Sequence, residues 1–270
     1  MISGFAVESQ LLEKDDFESL LGNIDPVVLQ KANFEKSLND NYESVKNTPS
    51  DINEHIDTFY RYGKECDSVV ECGIRTCVST WGFMKGLHEN GRDKKLLVGL
   101  DLSDHPNVHN AMSVSKPLGI DHRFYAGDDL LFPLKSTDEG FKQEDDDVVD
   151  ETDPTKRNKM FDCVFIDSLH VFQQCFLECE KFGQHCKKYM IFHDTTIDRY
   201  TGEFLRWGGE AYVMNLSKQK NWDPMLIRLG IWPAITDFVT RSKGEWVLEK
   251  EYSNNNGLTI LRRKDVPSLC

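Results

Sequence analysis

The chain has 270 residues, 39% of them hydrophobic and 11% aromatic, enough for one α/β domain with a sizeable core. Its formal net charge of -13 repels phosphate backbones and argues against a nucleic-acid partner. No run of about 18 apolar residues occurs, so no membrane span is expected.

The stretch from Met1 to Glu18 is polar and acidic, without the basic start and apolar core of a secretory signal. The eight cysteines form no paired C-x-x-C framework, and several fall inside apolar runs. Reduced thiols in a cytoplasmic protein are the expectation. Cys175, Cys179, His185 and Cys186 suit one helix face better than a zinc site.

Residues 1–46 read as a helical extension, and 47–270 as the main domain. Thr48-Pro49-Ser50-Asp51 predicts a helix start, with Thr48 as cap, Pro49 in the first turn and Asp51 closing a capping box. Ile52, Ile56, Phe59 and Tyr60 then share one helix face. Strand-like runs follow at Ser68 to Glu71, Leu96 to Asp101, His122 to Tyr125, Phe161 to Asp167 and Tyr189 to Asp194. Helical patterns at Ser79 to Leu87 and Val171 to His185 separate some of them. This alternation predicts a doubly wound, mostly parallel sheet with helices on both faces.

Residues 135–159 interrupt the alternation with an acidic segment, expected to be a flexible insertion without a catalytic role. At the end of the chain, Trp246 to Tyr252 and Leu258 to Leu261 flank Ser253-Asn254-Asn255-Asn256-Gly257. That turn chemistry predicts an antiparallel hairpin closing the sheet.

Acidic residues end several predicted strands, and in open parallel sheets ligands bind at the strands' carboxyl ends. The first junction is Glu71-Cys72-Gly73-Ile74-Arg75-Thr76-Cys77-Val78-Ser79. Gly73 permits a tight turn, the following helix start offers N–H groups to an anion, and Glu71 can accept from an ammonium. This suits an amino-acid zwitterion better than a pyrophosphate, and the glycines of a dinucleotide fingerprint are absent. Asp101 can take ribose hydroxyls. Asp128 can meet an adenine amino group or cap the helix after it. Asp167, His193 and Asp194 are donors of the kind that hold a divalent ion, and His170 suits a general base.

These motifs, with Gly230-Ile231-Trp232-Pro233-Ala234-Ile235 and Asn254 to Thr259, resemble the class I S-adenosylmethionine-dependent methyltransferases. The resemblance is to the branch of cephalosporin-hydroxylase-like proteins and macrolide-sugar and rhamnosyl O-methyltransferases, and it covers most of the chain from Asn47 onward. It implies a seven-stranded Rossmann-like sheet and methyl transfer to a hydroxyl of a small molecule, foremost a sugar or glycan. It implies that Glu71, Gly73, Arg75 and Ser79 surround the methionine part of S-adenosylmethionine, Asp101 the ribose and Asp128 the adenine. It places Mg2+ or Mn2+ at Asp167, His193 and Asp194, with His170, Asp167 and Asp194 catalytic. Cys77 stands where the family usually has glycine, and His193 where sugar-methylating relatives often carry an acid. Thr201 to Arg228, with Trp207, Tyr212 and Trp222, suits a lid over the strand ends or a helix packed on the core. The alternatives are a nicotinamide-dependent oxidoreductase and an S-adenosylmethionine-binding domain without catalysis. Homo-oligomerisation is left open.

Overall fold

The computed structural model describes residues 26–134 and 161–270. The acidic insertion and the first 25 residues lie outside the described residues.

Seven strands form one sheet in the order β3-β2-β1-β4-β5-β7-β6. They are β1 (Ser68–Cys72), β2 (Leu96–Asp101), β3 (Asp121–Ala126), β4 (Phe161–Ile166), β5 (Cys186–His193), β6 (Trp246–Tyr252) and β7 (Leu258–Arg263). The first five are parallel; β7 inserts antiparallel between β5 and β6. The expected hairpin is present, with a five-residue connection (253–257) between the paired Tyr252 and Leu258. Asn255, Asn256 and Gly257 take φ values of 48°, 65° and 95°, the left-handed region that Asn and Gly tolerate best.

Alternate residues of the central strands face opposite layers, as strand geometry requires. Val69, Cys163, Phe165 and Ile191 join one buried cluster; Val70, Val164, Ile166 and Met190 join the other. On the first face lie α1 (Pro26–Asn47), α2 (Ile56–Lys64), α3 (Val78–Glu89) and α4 (Pro106–Ser115). The second is covered by α5 (Phe172–Gly183) and, beyond α6 (Glu203–Lys220) and α7 (Pro224–Arg228), by α8 (Trp232–Arg241). Leu38 and Tyr42 of α1 are buried in the same cluster as Phe59 and Phe165, so this helix shares the sheet's core.

The expected helix start at Thr48 is displaced. Residues 48–52 are irregular, and a short 3₁₀ turn at Asn53–His55 leads into α2. Ser50 Oγ accepts from the Asn53 amide at 3.0 Å, and Asn53 Oδ1 accepts from the Ser50 amide at 3.0 Å. This reciprocal pair does the work of a capping box two residues later than expected. Asp51 is thereby left free to reach Arg75. Cys175 and Cys179 are buried on α5 while Cys186 opens β5, where its thiol meets the Tyr189 carbonyl at 3.0 Å.

Strand order reverses between β1 and β4: β2 and β3 lie to one side, β5 to the other. Loops that leave neighbouring strands in opposite directions open a crevice at this switch point. The predicted site residues surround that crevice.

Candidate active site

Glu71 is wholly buried near the end of β1. Its Oε1 accepts from Ser79 Oγ at 2.7 Å, and its Oε2 has no hydrogen-bond partner. Burial pushes its carboxyl up to about 7, against the stabilising hydroxyls of Ser79 and Thr80, with Asp167 nearby adding to the rise. Gly73 is at φ 83°. A Cβ there would sit 2.1 Å from the Asp167 carbonyl oxygen, so the close neighbour that demands glycine is the end of β4. Arg75 and Cys77 also adopt positive φ, 40° and 64°. The Arg75 guanidinium binds both oxygens of Asp51 at 2.9 and 3.0 Å, outside the crevice mouth. Ile52, Gly73, Ile74, Arg75, Ser79 and Asp167 line a narrow cleft at this junction.

Asp101 faces the same loop from β2. Its Oδ2 accepts from the amides of Ile74 and Arg75 at 3.1 and 2.8 Å, and its Oδ1 from Ser103 at 3.2 Å. It therefore shapes the β1–α3 loop. Asp128 caps the turn after β3 through Leu130 N at 3.0 Å and pairs with Lys220. Burial raises its carboxyl, but Lys220 outweighs this and holds it below the ordinary range.

Across the switch point, Asp167, His170, His193 and Asp194 converge. His193 Nδ1 lies 3.0 Å from Asp167 Oδ1 and 3.5 Å from Asp194 Oδ1. Its Nε2 faces the carbonyls of Asp51 and Asn255 at 3.1 and 3.0 Å, so that nitrogen must carry hydrogen. Burial opposes charge on His193, but Asp167 prevails and raises it to about 9. Asp167 is pushed up by burial and then pulled far below the ordinary range by His193 and His170.

His170 is more crowded. Its Nε2 meets Asp167 at 3.2 Å; its Nδ1 meets Asp194 at 2.8 Å, Asp198 at 3.4 Å and Glu203 at 3.5 Å. Burial works against its charge, but these carboxylates raise it well above 6.5. A histidine so placed favours its protonated form. Asp198, with no exposed side-chain surface, is held by Arg206 through two contacts of 2.7 and 2.8 Å.

Helix α6 spans the crevice. Glu203 and Arg206 at its start bind the His170 cluster, and Lys220 at its end binds Asp128. Gly209 breaks the helix midway with φ 65° and ψ -160°. Val213 and Leu216 pack with Val171 and Trp222, while Trp207 is 76% exposed. Part of the segment thus packs on the loop after β4, and Trp207 near its start is exposed.

The sequence reading missed Asp51, Asp198, Glu203, Arg206 and Asn255. Asp198 and Glu203 follow the Asp194 motif within nine residues, a local signal. Asp51 and Asn255 contribute through backbone carbonyls, which residue type does not reveal.

No protein-family model matches the chain, and no curated protein matches it. Solved structures with a similar layout include an O-methyltransferase from Bacillus cereus in complex with SAH, 15% identical over 93% of this chain and 96% of that one, with a TM-score of 0.44. Another is the SAH-bound Podospora anserina methyltransferase PaMTH1, 12% identical over 96% and 100%, with a TM-score of 0.43. A third is the O-methyltransferase TomG from Streptomyces achromogenes in complex with SAM, 12% identical over 92% and 93%, with a TM-score of 0.42. Identities and scores this low assign no activity to this chain.

Proposed function

We propose that the protein is an S-adenosylmethionine-dependent O-methyltransferase whose acceptor is a small-molecule hydroxyl, foremost on a sugar or glycan. The observation that carries this reading is the pairing of two unfinished buried acids at one switch point. Glu71 Oε2 and Asp194 Oδ1 are buried without a hydrogen-bond partner, one on each side of the crevice, and Asp194 Oδ1 has only the ionic neighbour His193 Nδ1 at 3.5 Å. A buried acceptor of this kind calls for a donor or a cation.

Glu71 fits the ammonium of an amino-acid moiety, with Ser79 fixing its carboxylate and the Gly73–Ser79 loop beside it. Arg75 is placed to balance the opposite carboxylate once it leaves Asp51. Asp101 Oδ1, which accepts from the Ser103 amide, keeps a second lone pair for a ribose hydroxyl, and Asp128 can turn from Lys220 to an adenine amino group. S-adenosylmethionine supplies an electrophilic methyl on a sulfonium.

Asp167, His193 and Asp194 also fit a divalent cation. Their nearest donor atoms lie 3.0 and 3.5 Å from His193 Nδ1, and the two carbonyls on Nε2 fix the tautomer a ligand histidine needs. Asp167, His170 and Asp194 bring three donor atoms within 4.8 Å of one another, as do His170, Asp198 and Glu203. A divalent cation here would lower the pKa of an acceptor hydroxyl and displace the proton from His170. With a cation held there, His170 would be the group placed to take the acceptor's proton, and Asp167 and Asp194 would be placed to align the oxygen behind the methyl. Trp207 at the mouth offers an aromatic face to a sugar ring.

The deciding experiment is calorimetry with S-adenosylhomocysteine and with NAD, followed by mass spectrometry of candidate glycans incubated with methyl-labelled donor. Binding of NAD but not S-adenosylhomocysteine would overturn the reading.

A further inference from the structure

Beneath the crevice, on the α5 face, lies a second polar cluster that the proposed chemistry does not use. Asp129, Gln174 and Glu178 are 6%, 2% and 0% exposed. Gln174 Nε2 donates to Asp129 Oδ1 at 2.8 Å and to Glu178 Oε1 at 3.1 Å. Ser168 Oγ donates to Glu178 Oε1 as well.

Counting donors exposes a deficit. Both hydrogens of the Gln174 amide and the single hydroxyl hydrogen of Ser168 are committed. Turning the amide over would set its oxygen against both carboxyls. Lys181, a cation of this region, directs its ammonium to the carbonyls of Asp129, Leu130 and Phe132 at 2.9, 2.8 and 2.6 Å. Asp129 Oδ2 and Glu178 Oε2 receive no hydrogen from any described residue. The other titratable groups nearby are Cys72 on β1 and Cys175 on α5, and burial keeps the Cys72 thiol protonated. Two ionised carboxylates side by side in this dry setting would repel strongly.

We propose that Glu178 and Asp129 share one proton, and that Glu178 is thereby a positioning residue that locks the loop after β3 to the loop after β4. The proton is the missing donor: Glu178 gives it to Asp129 while its other oxygen holds Ser168. Burial first, and the Asp129 charge second, raise Glu178 well above the ordinary carboxyl range, which agrees with the donor count. The two loops so joined carry Asp128 on one side and Asp167 and His170 on the other. Only their relevance to catalysis rests on the proposed methyl transfer; the brace itself does not.

The test therefore uses the full chain without cofactor or acceptor. Infrared spectra at neutral pH should show a protonated carboxylic acid that Glu178→Gln removes. Gln offers an N–H to Asp129 and a carbonyl to Ser168, so amide hydrogen exchange in 128–132 and 167–171 should stay as in the parent. Glu178→Ala should speed exchange in both segments, by about tenfold or more as a buried acceptor and donor lose their partners. Ser168→Ala should loosen 167–171 alone. Because Glu71 also holds part of a proton at neutral pH, the outcome that overturns the proposal is an acid band that Glu178→Gln leaves unchanged, or Glu178→Gln loosening both loops. If Glu178→Ala does not fold, the spectrum and the other two variants still decide.

Discussion

The two ends of the sheet bury charge in opposite ways. At the end where β4 and β5 begin, Asp162 accepts from the Asp67 amide at 2.6 Å and lies 3.6 Å from Lys188. Arg263 there donates to the carbonyls of Cys186 and Gly183 at 3.2 and 3.0 Å and to Glu245 at 2.6 Å. Neither residue leaves a buried side-chain atom unpartnered. At the far end, Glu71 and Asp194 do leave such atoms, and His170 is shared among Asp167, Asp194, Asp198 and Glu203. Complete pairing is what a structural charge needs; incomplete pairing at a crevice is what a ligand needs.

The strongest way to break this contrast is to remove His170. His170→Ala should lower methyl transfer by about 10²–10⁴-fold with little change in S-adenosylhomocysteine affinity, measured by steady-state kinetics and calorimetry. At the other end, Arg263→Ala should cost about 1–3 kcal/mol of stability, because two buried carbonyls lose their donor. Urea titration checks this, and the turnover of the folded fraction should stay at the parent level. An equal loss of turnover in both variants would erase the distinction between the two ends.

Cation binding sharpens the contrast further. A nitrogen donor beside two carboxylates favours Mn2+ over Mg2+. Calorimetry should therefore show tighter Mn2+ binding, lost in Asp194→Ala and unaffected by Arg263→Ala.

Glu71 gives a subtler pH effect. Its carboxyl is raised to about 7 in the fold, so its contribution to stability is fully present below the ordinary carboxyl range and is lost as pH rises through about 7. Ionisation over the same window provides the charge that attracts an ammonium. S-adenosylhomocysteine should thus bind more tightly as pH rises through about 7 while the apo protein becomes less stable. Glu71→Gln should flatten both profiles, followed by calorimetry and thermal melting.

The smallest effect concerns the mouth. Arg75 is 70% exposed in its side chain, and its pair with Asp51 is screened by solvent. Arg75→Ala should change stability by less than about 1 kcal/mol in urea titration. A larger change would mean that the Asp51 carbonyl on His193 depends on this surface pair.

What the sequence by itself determined was whatever local pattern controls. Largely apolar runs such as Phe161 to Ile166, interrupted only by Asp162, read as buried parallel strands because both faces of a central strand are covered. The Asn255-Asn256-Gly257 turn read as a hairpin because few residues tolerate its backbone. The acids at strand ends were legible because the carboxyl edge of a parallel sheet is where ligands meet it. Tertiary structure alone decided which of those acids are already partnered. Asp101 lies 26 residues from the Arg75 amide it holds, and Asp128 lies 92 from Lys220. It also decided the charge of His170, since the field of four carboxylates depends on how two strand-end loops and the start of α6 come together. Residue type names a group that can titrate; only its neighbours in space fix the proton it keeps.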